Sequence, residues 1–159
     1  MATLKIVNGR EKYYNIDARA NAVSYILDPF KARTFSGGYK VDKYNIAGSM
    51  DEVAARFGKT SGVQLRHLIV SFAPEDRVTL EKANRIGQVA ASFFAKEYQA
   101  IYAVHEDTDT LHIHIVVNSI SYIDGHRYGG TKKEFYSFMH YMKEVLRCYF
   151  NVYSFRYVS

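Results

Sequence analysis

The sequence predicts an α+β fold: a central antiparallel β-sheet of about five strands with helices packed on its faces. Three observations carry that expectation. Segments rich in branched and apolar residues recur along the chain, helical patterns stand between them, and the two strands around His105 and His112 are joined by a link too short for a crossover.

Taken in order, TLKIVN (3–8) reads as a short strand, and DARANAVSYIL (17–27) as a helix with Asp17 at its N-cap and Pro29 as its stop. RTFSGGYKVD (33–42) is readable as loop or strand. Ser49 can cap a short helix, MDEVAARFG (50–58), which Gly58 ends; VQLRHLIVSFA (63–73) is a strand. From Thr79 onward, TLEKANRIGQVAASFFAKEY (79–98) places Leu80, Ala83, Ile86, Ala90, Phe93 and Phe94 on one buried helical face. QAIYAVHED (99–107) and LHIHIVVNSIS (111–121) are strands, followed by a turn-rich YIDGHRYGGTKK (122–133). The last helix, from Glu134 to about Phe150, aligns Phe135, Phe138, Met139, Met142, Val145, Leu146 and Tyr149 in one stripe. That stripe reads as core, with Cys148 packing at its border, and NVYSFRYV (151–158) closes the chain as a strand.

With 159 residues and no repeat or linker, the chain reads as one domain over 1–159. Its hydrophobic fraction of 48% and charged fraction of 23% argue against disorder. The single Cys148 excludes an internal disulfide, and no apolar run approaches the roughly 18 residues of a membrane span. MATLKIVNGREKYY lacks the apolar core of a signal peptide, so a cytoplasmic location is expected. The net charge of +5 favours a polyanionic partner. Cations at Arg10, Lys12, Lys31, Arg33, Lys40, Lys43, Arg127 and Lys132 often stand beside Tyr or Phe, a mixture suited to single-stranded nucleic acid.

HEDTDTLHIHIVVN (105–118) concentrates three of the six histidines. Strand alternation sends His112, His114, Val116 and Asn118 to one face and Ile113, Ile115 and Val117 to the other. A two- or four-residue hairpin loop centred on Thr108 and Asp109 pairs His105 with His112, which adds His105 to the same face. Three imidazoles can hold a divalent metal ion with positions left open for reaction. Asp107 falls on that face and can orient a ligating ring; Asn118 can do the same or bind substrate. His126 and His140 read as structural or surface residues.

His105-x-Asp107-x4-His112-x-His114-x3-Asn118 resembles the HxDx4HxHx3N signature of conjugative relaxases, the DNA-nicking mobilisation proteins. AVSYILDPFK is similar to that family's first motif, RHLIVSFAPE resembles the strand before its long helix, and VLRCYFNVYSFR falls in family order. The resemblance implies a relaxase of the mobilisation and T-DNA nickase type. It implies a metal-assisted attack by a tyrosine hydroxyl on single-stranded DNA at a transfer origin, giving a 5'-phosphotyrosine. Tyr25 is then the nucleophile, with Tyr13 and Tyr14 in reserve, and Asp107 the candidate base for a hydroxyl whose ordinary pKa is near 10. His105, His112 and His114 become the metal ligands and Lys31, Arg33 and Arg127 the DNA-binding cations. Family nicking implies Mn or Mg, whereas the donor set alone also suits Zn, Ni or Fe. Accessory proteins of a relaxosome and a coupling protein are implied partners. Larger members carry helicase, primase or transport segments, so the resemblance allows a domain excised from a longer protein. Alternatives are a rolling-circle initiator or single-strand transposase with Tyr136 or Tyr141 as nucleophile, a metal-dependent hydrolase, and a non-catalytic DNA-binding module.

Overall fold

A computed structural model describes residues 1–32 and 35–158. The chain runs β1 (Ala2–Val7), a 3-10 turn (Arg10–Tyr14), α1 (Ala18–Ile26), β2 (Ser36–Tyr39), α2 (Ile46–Arg56), β3 (Leu65–Ser71) and a second 3-10 turn (Pro74–Asp76). It continues through α3 (Leu80–Phe94), β4 (Ala100–His105), β5 (His112–Asn118), α4 (Lys132–Phe150) and β6 (Phe155–Tyr157). The strands form one sheet in the order β2-β4-β5-β3-β1-β6.

The α+β expectation holds, with two corrections to the sheet. The Ser-Gly-Gly-Tyr segment forms β2 and pairs antiparallel with β4, making six strands. It has no branched residue to announce it, and its glycines have a packing reason: a Cβ at Gly37 would approach the Tyr102 ring to 2.8 Å. β6 pairs parallel to β1, so the sheet is mixed, because α4 carries the chain across the sheet and returns it in the direction of β1.

Helices α2, α3 and α4 start on side-chain caps, whereas Asp17 holds the expected N-cap position of α1 with no side-chain cap bond. Thr79 Oγ1 accepts from the Lys82 N–H at 3.1 Å as expected. Thr131 and Glu134 form a reciprocal capping box, which starts α4 two residues before Glu134. Asn45, not Ser49, caps α2 by accepting from the Gly48 N–H, and the Ser49 hydroxyl instead donates to the Ile46 carbonyl. On α4 the buried row runs from Met142 through Leu146 to Phe150, so Tyr149 and Cys148 are exposed rather than packed.

The two sheet faces are covered by different helices. Leu68, Val70, Tyr102, Val104, Ile113, Ile115 and Val117 join the core under α3 and α4. On the other face Leu65, Ile101, Ala103 and Val116 pack against Ala18, Ala22 and Ile26 of α1 and Met50 of α2. The even-numbered face of β5 therefore meets α1, the helix that carries Tyr25.

Candidate active site

The β4–β5 register pairs His105 with His112 and Ala103 with His114, as strand alternation requires. On the opposite side of β5, β3 sets Ser71 beside His112 and Ile69 beside His114. Parity thus puts His105, His112 and His114 on the α1 face, and it adds His67 of β3. Ring centroids lie 4.0 Å apart for His105 and His114, 5.8 Å for His112 and His114, and 6.3 Å for His105 and His112.

Tyr25 reaches the cluster from the end of α1. Its ring lies edge-on at 5.7 Å from His114, 5.9 Å from His105 and 6.4 Å from His67, while 47% of the residue stays exposed. The helix end is fixed by the cluster itself: His105 Nε2–H donates to the Ile26 carbonyl at 2.8 Å, filling one acceptor that a helix C-terminus leaves open. Lys31 Nζ sits 5.6 Å from the Tyr25 ring centroid and 3.3 Å from Asp107 Oδ2. A groove of about 530 Å³ opens onto Tyr25, His67 and His114, and Lys5, Lys12 and Asn21 are among its other lining residues.

Burial governs the electrostatics. It pushes the His114 pKa down to about 2, helped by the neighbouring His105, His67 and His112, and that of His67 down to about 4, helped by His105. His105 and His112 are also lowered, by burial first. At neutral pH all four rings are uncharged, with one donor and one acceptor nitrogen each. Partial burial works against ionisation of Asp107. Its own backbone N–H, Lys31 and His105 outweigh this and hold the carboxyl below its usual range.

Among the described residues, no three His, Cys, Asp or Glu side chains stand as a ready-made metal cage. The donor chemistry of the three hairpin histidines nevertheless fits a divalent ion, because each ring has one nitrogen engaged and one left over. His105 donates from Nε2, which leaves the Nδ1 lone pair. His112 Nε2 faces Thr108 Oγ1 at 3.3 Å; that hydroxyl donates to the Thr110 carbonyl, so the ring is the donor and its Nδ1 remains. His114 is engaged through Nδ1, leaving Nε2. Ligating histidines show this pattern of one anchored and one free nitrogen.

Other expected site residues fall elsewhere. Asn118 is fully buried four residues beyond His114, about 13 Å along the strand at roughly 3.3 Å per residue, and its amide binds Arg19, Met50, Gln99 and the Ile120 N–H. It neither touches an imidazole nor has capacity left for substrate. Arg127 lies beyond that same end, where its guanidinium donates to the Ser61 carbonyl at 2.6 Å. Arg33 lies outside the described residues. Tyr13 is at the cluster, its hydroxyl 2.8 Å from His67 Nδ1, whereas Tyr14 is exposed. Tyr136 and Tyr141 belong to α4, on the other side of the sheet from the histidines. His67 and Lys5 escape sequence reasoning; the one signal for His67 is its parity in β3, informative only once β3 is known to border β5.

Residues 25–149 match the family model "Relaxase: MobA/VirD2-like, nuclease domain", and the chain belongs to that family. It is 29% identical over 134 residues to Protein rlx of Staphylococcus aureus, an alignment that covers 84% of this chain and 38% of that protein. Over 71 residues it is 37% identical to the Group II intron-interrupted relaxase LtrB of Lactococcus lactis subsp. cremoris, covering 44% and 13% of the two chains. Over 55 residues it is 42% identical to Protein TraI of Escherichia coli, covering 34% and 8%. The chain spans less than two fifths of the length of these curated relatives. A solved structure described as "Molecular Basis of Vancomycin Resistance Transfer in Staphylococcus aureus" aligns with a TM-score of 0.46 at 15% identity, covering 79% of this chain and 74% of that one.

Proposed function

We propose that this relaxase nuclease domain nicks one strand of DNA at a transfer origin by transesterification from Tyr25. The observation that carries the reading is the half-exposed Tyr25 ring against three histidine rings at 5.7 to 6.4 Å. The phenol oxygen attacks phosphorus, the bond to the 3'-oxygen breaks, and a proton from solvent leaves that oxygen as a free 3'-hydroxyl. The phenol's own proton goes to water in the open groove. The product is a 5'-phosphotyrosyl strand whose reversal rejoins the DNA.

Lys31, its ammonium over the Tyr25 ring at 5.6 Å from the centroid, supplies a positive charge for the incoming phosphate, and its ion pair with Asp107 keeps the ammonium in place. Asp107 serves this positioning role better than that of base, since a carboxyl held below its usual range is a poor acceptor for a phenol proton. A divalent ion, Mn or Mg, held by His105, His112 and His114 would act as a Lewis acid on a non-bridging oxygen of the scissile phosphate. Lys5 and Lys12 line the groove where phosphates of the single strand approach, in place of the distant Arg127. Relaxosome accessory proteins and a coupling protein are the partners such a domain would serve. Among the described residues no helix is long and apolar enough to cross a membrane.

Tyr13 is the weaker nucleophile, because its hydroxyl already bonds His67 and burial raises its pKa. The test incubates wild type and Tyr25→Phe with labelled single-stranded DNA carrying the transfer origin, with and without Mn. A covalent protein-DNA adduct that forms with wild type and is lost in Tyr25→Phe supports the proposal. Undiminished metal-dependent cleavage by a variant lacking the hydroxyls of Tyr25, Tyr13 and Tyr14 together would rule out the tyrosine mechanism.

A further inference from the structure

His67 carries no role in the reaction as proposed, yet it is 5% exposed and both its ring nitrogens are engaged. Nε2 lies 2.8 Å from Nδ1 of His114, and Nδ1 lies 2.8 Å from the Tyr13 hydroxyl oxygen. We propose that His67, backed by Tyr13, is a positioning residue that fixes the tautomer of His114 so that its Nε2 presents a lone pair to the ion. The inference rests on the reading that His114 is a metal ligand.

The tautomer of His114 depends on where two protons sit. In one arrangement Tyr13 donates to His67 Nδ1 and His67 Nε2–H donates to His114 Nδ1. The remaining proton of a neutral His114 then occupies Nε2, and the nitrogen needed by a cation is blocked. In the other, His114 Nδ1–H donates to His67 Nε2 and His67 Nδ1–H donates to the Tyr13 oxygen. Nε2 of His114 is then free. The second arrangement keeps the number of hydrogen bonds, since the Tyr13 oxygen can accept from His67 Nδ1–H while the Tyr13 O–H turns toward the groove that Tyr13 lines.

His105 shows the contrast. Its partner is the Ile26 carbonyl, which can only accept, so its tautomer is fixed whatever else happens. Among the described residues His114 has no carbonyl partner; its anchor is another imidazole that can face either way. That makes the orientation of His114 dependent on what stands behind His67, and Tyr13 is the group that stands there. His67 is not itself a ligand in this scheme, because Tyr13 and His114 occupy both its nitrogens.

The test measures Mn binding by calorimetry at pH 7.5 on the metal-free full chain. The variants are His114→Gln, His67→Phe, His67→Gln and Tyr13→Phe, each checked for native circular dichroism. Two-bond proton-nitrogen NMR correlations report the His114 tautomer without metal. Loss of Mn binding in His114→Gln establishes the parent reading. On that background His67→Phe should weaken Mn binding about 10- to 100-fold and raise the fraction of His114 protonated at Nε2. His67→Gln, whose amide oxygen can accept from His114 Nδ1–H, should recover part of the affinity, and Tyr13→Phe should fall between wild type and His67→Phe. If His67→Phe misfolds, the Gln and Tyr13 variants carry the same comparison. Wild-type affinity and an unchanged His114 tautomer in the folded His67 and Tyr13 variants overturn the proposal alone. Absent wild-type binding, or unimpaired binding by His114→Gln, overturns the ligand reading and the proposal with it.

Discussion

β5 carries polar side chains at both ends of one face, and the two ends differ in how completely they are satisfied. At the Asn118 end every capacity is used. The amide oxygen accepts from Arg19 Nε at 3.1 Å and from the Ile120 N–H at 3.2 Å, and the amide nitrogen donates to the Met50 carbonyl at 3.1 Å and to Gln99 Oε1 at 2.8 Å. Arg19 extends the network to Asp51 and Gln64. At the histidine end His105, His112 and His114 each keep one nitrogen beyond the one a protein partner occupies. Saturation marks architecture, and leftover capacity marks chemistry.

The two ends are joined through α1. Arg19 moors the start of that helix to Asn118, and the Ile26 carbonyl moors its finish to His105. Tyr25 lies between these moorings, so the closed end of the strand serves the open one by holding the phenol's helix against the sheet.

The largest test is at the closed end. Asn118→Leu removes the partner of Arg19 Nε, of the Gln99 side-chain oxygen and of the Ile120 N–H, and should cost on the order of 3 kcal/mol or more in urea unfolding. Nicking at a temperature where the variant stays folded should change by only a few-fold. Stability within about 1 kcal/mol of wild type, with nicking lost, would invert the comparison.

At the open end the expectation reverses. His114→Gln should lower nicking by about a hundredfold while the circular dichroism spectrum and cooperative melting persist. A variant that unfolds before it loses activity would make His114 part of the architecture.

The buried rings also predict how stability depends on pH. His67 and His114 have folded pKa values of about 4 and about 2, below the ordinary 6.5, so between those values and 6.5 the unfolded chain binds protons that the folded one refuses. Above pH 6.5 these groups contribute no slope. Below it stability falls, by up to about 1.4 kcal/mol per pH unit for each ring, through pH 4 for His67 and toward pH 2 for His114. Unfolding measured from pH 8 to 4 in wild type and His67→Phe checks this, and identical slopes would contradict it.

A smaller effect is expected from Lys31→Met, about tenfold in nicking, with Lys31→Arg recovering part of it. Tyr136→Phe should change nothing, because the sheet separates α4 from the histidines. Equal losses in the two Phe variants at positions 25 and 136 would return the mechanism to a tyrosine on the last helix.

Much of the open end was legible in the sequence, because alternation and a short link suffice to bring His105, His112 and His114 to one face. Tyr25 was legible through the resemblance of its surroundings to a family motif, since spacing says nothing about which helix end covers a strand. Asn118 shares the histidines' parity, and parity gives a face but not depth or partners; its saturation by Arg19 depends on a contact 99 residues away in sequence. His67 was hidden for a related reason, as the order of β3 beside β5 is a property of the sheet. Arg127 looked available as a cation until its loop folded back onto the Ser61 carbonyl. The caps at Thr79 and Asn45 show the local version: Thr79 is followed by a strong periodic pattern, whereas Ser49 and Asn45 both offer an oxygen and only the start of α2 decides between them.

The most direct measurement of the central claim is mass-spectrometric mapping of the nucleotide-linked peptide after wild type has reacted with its transfer-origin strand in Mn and been digested with trypsin. Cleavage after Arg19 and Lys31 puts Tyr25 in the peptide 20–31, apart from Tyr13 and Tyr14 in 13–19 and from Tyr136 and Tyr141 in 134–143. The adduct should be found on 20–31; its recovery on either of the other two would contradict the assignment of the open end of β5 and Tyr25 as the reaction centre.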